Sequence, residues 1–105
     1  MDIVWSATAR RDRDTIHAYI ARTRTAIDAY DWLSRINRAV LDIADYPAWG
    51  RVIDDLGNRD RVVAGPKPRY IVRYRYQPRV QRIRVVGIFH GTQRRSSRVD
   101  PAPSA

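Results

Sequence analysis

The chain has no cysteine, no glutamate, one lysine (Lys67), one phenylalanine (Phe89) and two histidines (His17 and His90) in 105 residues. Without thiols there is neither a disulfide framework nor a thiolate metal site, and two imidazoles do not make up an ordinary zinc site. No metal and no cofactor is expected. Without glutamate, a glutamate general base is excluded. No apolar run reaches the roughly 20 residues that cross a bilayer. The start, Met1-Asp2-Ile3-Val4-Trp5, lacks the charged and apolar regions of a secretion signal. A cytoplasmic protein with no membrane contact is the expectation.

What is abundant is arginine, and it is unevenly placed. Residues 1–58 hold 8 basic and 9 acidic side chains, whereas residues 59–105 hold 12 basic and 2 acidic ones. The formal charge of +9 therefore belongs to the second half. Such a field draws nucleic acid or an acidic protein surface.

Taken in order, Ile3-Val4-Trp5 suits a strand, and Ser6 offers a cap for a helix from about Ala7. Ala9, Ile16 and Ile20 recur at helical spacing, with Tyr19 beside them and His17 at the edge of the stripe. Thr25, followed three residues later by Asp28, opens a second helix. Its apolar face comprises Ala29, Leu33, Ile36, Val40 and Ile43, broadened by Ala26, Tyr30 and Ala44, and it ends at Tyr46-Pro47. Trp32 and Trp49 read as packing residues. Residues 47–58 read as a loop, and Arg61 to Ala64 as a short strand before the stiff turn Gly65-Pro66-Lys67-Pro68. No internal repeat or domain boundary is visible. Residues 1–95 are expected to form one domain and 96–105 a flexible tail.

The most informative stretch is Arg69 to Gly91, two alternating runs joined by Gln77-Pro78-Arg79-Val80-Gln81, which reads as a β-hairpin. Strict alternation sends Tyr70, Val72, Tyr74, Ile83, Val85 and Phe89 to a face covered by the helices. It leaves Arg61, Arg69, Arg73, Arg75, Arg82 and Arg84 on the other face, interspersed with Val63, Ile71, Val86 and Ile88. A mixed basic and apolar sheet face suits a partner.

The order Trp5-Ser6-x-x-Ala9-x-x-Asp12, Ile16-x-x-Tyr19-Ile20-Ala21, Tyr46-Pro47-x-x-Gly50-Arg51, then Arg61-Val62-Val63, Tyr70 to Arg75 and Ile83 to Gly91, resembles the RelE/ParE toxin superfamily of type II toxin–antitoxin systems. The likeness covers roughly Ile3 to Arg95. It departs from the family pattern at Ser6-Ala7, where Ser-Pro is common, and in the missing helix glutamates. The resemblance implies an α+β fold, a helical hairpin on a small antiparallel sheet. It also implies an acidic antitoxin as partner and the possibility of a higher-order toxin–antitoxin complex.

That superfamily divides into two branches, DNA gyrase inhibitors like ParE and ribosome-dependent mRNA endonucleases like RelE. The segment Arg69 to Tyr74, the Tyr46 to Arg51 turn and the His90-Gly91 ending resemble the ParE branch more. On that reading Arg61, Val63, Arg69, Ile71, Arg73, Arg75, Arg84, Val86, Ile88, Arg94 and Arg95 contact target or antitoxin. On the nuclease alternative, with ribosome and mRNA as partners, RNA cleavage needs an acid, a base and cationic groups around one phosphate. Arg61, Arg73 and Arg84 would then supply charge, and His90 would titrate near neutrality.

Overall fold

The computed structural model describes residues 1–66 and 69–91. Strand β1 (Asp2–Trp5) leads into helix α1 (Ala7–Thr23), which is followed by α2 (Ala26–Asp45). A 3-10 turn (Pro47–Trp49) then precedes β2 (Arg51–Val52), β3 (Asn58–Val62), β4 (Tyr70–Gln77) and β5 (Arg82–His90). The strands form one sheet in the order β1-β5-β4-β3-β2, antiparallel from β2 to β5, with β1 added parallel to β5. This is the expected α+β helical hairpin on a sheet, with one parallel edge.

Local chemistry sets the helix starts. Ser6 Oγ accepts from Ala9 N at 2.9 Å and Thr25 Oγ1 accepts from Asp28 N at 2.9 Å, each satisfying an amide that the helix itself leaves open. Along α2, Ala29, Trp32, Ile36, Ala39, Val40 and Ile43 are buried. They pack with Ala9 and Ile20 of α1 on Val63, Tyr70, Val72, Tyr74, Ile83, Val85 and Ile88 of the sheet. Leu33 is only half buried, and Tyr30 and Ala26 point outward, so the apolar face of α2 turns about Trp32 rather than Tyr30. Trp32 meets the edge of Tyr70 with centroids 4.9 Å apart, an arrangement that aromatic rings favour.

One irregularity decides which residues face the core. The register of β4 and β5 slips at Arg73/Tyr74: Tyr74 pairs with Val85 but Arg73 pairs with Gly87, leaving Val86 as the extra residue of a β-bulge. Beyond it the alternation inverts. Ile88, opposite Val72, enters the core at 2 % exposure, and Phe89 turns to the opposite face, the reverse of the strict alternation expected above. The bulge sits where β1 gives way to α1. There Ser6 N donates to Val85 O, Ser6 Oγ donates to Val86 O at 3.0 Å, and Asp12 Oδ2 accepts from Ile88 N at 2.9 Å. Two side chains of the first helical segment thus satisfy the strand edge that β1 no longer covers. Gly87 fits this approach, since a Cβ there would lie 3.2 Å from Asp12 Oδ2.

The third strand also differs from expectation. It begins at Asn58 rather than Arg61, and its pairing sets Arg61 opposite Val72 and Val63 opposite Tyr70. Residues directly opposite share a face, so Arg61 and Val63 lie on the helix side. The region expected as a plain loop holds the 3-10 turn and β2. Tyr74, fully buried, anchors it: its hydroxyl donates to Pro47 O at 2.6 Å and accepts from Gly50 N at 2.8 Å. Only glycine fits at position 50, where a Cβ would lie 2.6 Å from the Tyr74 oxygen.

Candidate interaction face

The sheet surface turned away from the helices is built in rows by the strand register. Val62, Ile71 and Phe89 form the first row, and Asp60, Arg73 and Gly87 the second. Asn58, Arg75, Arg84 and Val4 make the third, followed by Gln77, Arg82 and Asp2. Arg73 is the most enclosed cation. Its Nε donates to Asp60 Oδ1 at 2.8 Å and its Nη2 to Asp60 Oδ2 at 3.0 Å, a fork-to-fork pair whose side chains are 7 % and 5 % exposed. Phe89 lies beneath the guanidinium, 4.8 Å from ring centroid to Cζ. Arg73 is therefore a structural ion pair with an aromatic base, not a free charge.

The third row holds two further cations, Arg75 and Arg84, both half buried. Arg75 and Arg84 stand directly opposite each other, and like charges so placed repel unless something negative lies near. Arg75 Nε donates to Asn58 Oδ1 at 3.2 Å, and Asn58 Nδ2 donates in turn to Asp54 Oδ2 at 2.7 Å. Burial pulls the Asp54 carboxyl upward, but hydrogen bonds from Asn58 and Leu56 and the nearby Arg75 charge outweigh it and hold the group below the ordinary carboxylate value. Arg82 Nε, at the end of the face, is buried without a hydrogen-bond partner among the described residues.

The expected contact residues thus separate. Ile71, Arg73, Arg75 and Arg84 share this face, Ile71 buried there at 2 % exposure. Val86, 8 % exposed, is buried at the bulge beside the main core cluster, so neither apolar residue is open to a partner, contrary to expectation. Arg61, Val63, Ile88 and His90 are on the helix side, and Val63 and Ile88 are core residues at 1 % and 2 % exposure. Arg69 is exposed just before β4, with its carbonyl accepting from Gly91 N. Arg94, Arg95 and the tail 96–105 lie outside the described residues.

The four nuclease candidates do not converge. Arg73 and Arg84 lie on one side of the sheet and Arg61 and His90 on the other. Arg61 and His90 are themselves on strands separated by β4, roughly 10 Å apart at the usual strand spacing. His90 packs edge-on against Tyr70, centroids 5.7 Å apart, and extends the Trp32–Tyr70 stack. No group of three His, Asp, Glu or Cys side chains able to hold a metal occurs among the described residues.

A second exposed cluster was not legible as such in the sequence. Trp49, 51 % exposed, carries Arg61 stacked 4.2 Å from its centroid and Tyr46 4.9 Å away. Arg59 Nη1 donates to the carbonyls of Ala48 (3.1 Å) and Gly50 (2.8 Å), fixing the turn that displays them. Trp49 therefore lies half outside the core, and Arg61 belongs with it. Only the pairing of β3 with β4 brings the two together.

A two-helix hairpin on a five-stranded mixed sheet with arginines on its outer face defines a small α+β protein. The same architecture occurs in a solved structure described as the chromosomal ParDE TA system from P. aeruginosa. The two align with a TM-score of 0.71 over 86% of this chain and 95% of that one, at 18% sequence identity. At that identity the likeness is one of fold. No curated protein matches the sequence significantly. The family described as "ParE toxin of type II toxin-antitoxin system, parDE" matches residues 3–95, and the chain belongs to it. It is a type II toxin, a class that works with a cognate antitoxin.

Proposed function

We propose that this toxin acts by binding DNA gyrase, making and breaking no bonds of its own, and that a net-acidic antitoxin silences it by covering the outer sheet face. The observation that carries this reading is the Arg75–Arg84 row, set beside the enclosed Arg73–Asp60 pair on the face opposite the helices. Carboxylates of an antitoxin segment would add to the contacts these cations already make, while Val62 and Phe89 offer apolar contact in the row beyond the Arg73–Asp60 pair. The protein would act in the cytoplasm, where both partners reside. Division of Arg61, Arg73, Arg84 and His90 between two faces favours binding over a RelE-like cleavage of mRNA, which requires such groups around one phosphate.

The test adds the purified protein to a gyrase supercoiling reaction and, separately, to a translating extract with message ends mapped. Loss of supercoiling with intact message is expected. Supercoiling unaffected alongside codon-phased cleavage would overturn the proposal. Arg75→Ala with Arg84→Ala should weaken antitoxin binding by at least about tenfold and flatten its salt dependence.

A further inference from the structure

The outward side of α2 is apolar where a solvated helix would be polar. Ile27 is 79% exposed, Tyr30 69% and Leu41 54%. At 100° per residue these three fall with Ser34 and Arg38 into one narrow stripe, directly opposite the buried Ile36 and Ile43. Single exposed apolar side chains are ordinary, but an aligned stripe is not.

The stripe is also symmetric about Ser34. Ile27 and Leu41 lie seven residues to either side, and Tyr30 and Arg38 four residues to either side. We propose that the protein self-associates through this stripe, two copies of α2 packing antiparallel about a two-fold axis at Ser34. In such an isologous contact position 34−k meets position 34+k of the other copy. Ile27 then packs on Leu41 of the partner subunit, and Tyr30 receives Arg38 of the partner subunit over its ring, a favourable cation–π contact. Ser34 meets itself, and its small side chain permits the close helix approach of about 8–10 Å that packing needs.

Charge selects a second copy as the occupant. Residues 1–58, which include both helices, hold 8 basic and 9 acidic side chains, while the sheet half carries the excess of arginine. The α2 segment itself holds Asp28, Asp31, Asp42 and Asp45 against Arg35 and Arg38, a mildly acidic surface that disfavours an acidic antitoxin. Two copies meeting through it leave both basic faces outward. Approach by any sheet face would oppose like charge. The contact leaves the Arg75–Arg84 row uncovered, so dimer formation and antitoxin binding are independent. Three large side chains from each copy make a contact at the small end of specific interfaces, so the dimer is expected to be weak and reversible.

Sedimentation velocity of the full chain from about 1 to 200 µM should show a reversible monomer–dimer shift. Ile27→Asp and Leu41→Asp should each abolish it. Both positions are exposed, so thermal unfolding at low concentration should stay unchanged. The chain contains no cysteine, which permits a direct geometric check. Ser34→Cys should form a disulfide-linked dimer on mild oxidation, because the axis brings the two thiols together, whereas Arg11→Cys on the exposed side of α1 should not. A chain that remains monomeric at 200 µM, or equal crosslinking of the two cysteine variants, would overturn the proposal. So would a Leu41→Asp variant that loses antitoxin capture while its self-association persists, since the stripe would then belong to the antitoxin.

Discussion

Asp60 and Arg73 offer the sharpest test of how the outer sheet face is built. The pair is doubly hydrogen-bonded at 2.8 and 3.0 Å, with side chains only 5 % and 7 % exposed, and Phe89 closes one side of the guanidinium. Removing one partner of a buried pair strands the other charge, which costs about 3–5 kcal/mol, while replacing both with apolar groups costs far less. Asp60→Ala and Arg73→Met should therefore each lose about 3–5 kcal/mol, since each leaves a buried charge unpaired. The double variant should fall short of the summed losses by at least about 2 kcal/mol. Urea unfolding followed by far-UV circular dichroism measures each corner of the cycle, with unchanged m-values certifying a two-state comparison. Losses that add to within about 0.5 kcal/mol would refute the argument, because the two charges would then be held apart by water. The result bears on function as well. A double variant that folds and still binds antitoxin would assign recognition to Arg75 and Arg84 and leave Arg73 a structural role.

Two further outcomes test the packing. Tyr74→Phe strands the Pro47 carbonyl and the Gly50 amide, so it should cost about 1–3 kcal/mol and speed hydrogen exchange at Gly50. Burial raises the Tyr70 and Tyr74 hydroxyls above the ordinary tyrosine value. Their contribution is then complete below pH about 10 and is lost as pH rises through the elevated values, so the wild type should lose stability at high pH more steeply than Tyr74→Phe, by titration of melting temperature. The bulge makes a comparison of neighbours decisive: Ile88→Ala should cost about 2–4 kcal/mol, in line with its 2 % exposure, and more than Phe89→Ala, despite the larger ring. The opposite order would mean that strict alternation continues through Val86.

Much of the architecture follows from the chain read locally. Ser6 and Thr25 mark the helix starts, Tyr46-Pro47 the end of α2, and Pro78 with Gln81 the hairpin turn, where Gln81 adopts the left-handed conformation at φ 52°. These are short-range effects, set by side chains that cap or break their own neighbours, and so they are written in adjacent residues. The core of α2 is legible for the same reason, although Tyr30 shows that a broad apolar pattern does not say which flank is buried. Gly87 inside an apolar strand was a readable signal for the bulge. The edge strand β2, two residues long, is too short to display an alternation at all.

The hairpin from Arg69 to Gly91, its turn, the two helices before it and the concentration of positive charge in the second half are all written in residues close together in the chain. Tertiary structure alone decided which arginines face outward. One extra residue at Val86, fixed where Ser6 bonds Val86 from 80 positions away and Asp12 bonds Ile88 from 76, exchanged Ile88 and Phe89 between faces. The pairing of β3 carried Arg61 to Trp49 and Asp60 to Arg73. Strand periodicity is two, so a single inserted residue inverts every side chain beyond it, and only contacts distant in sequence fix where that insertion falls.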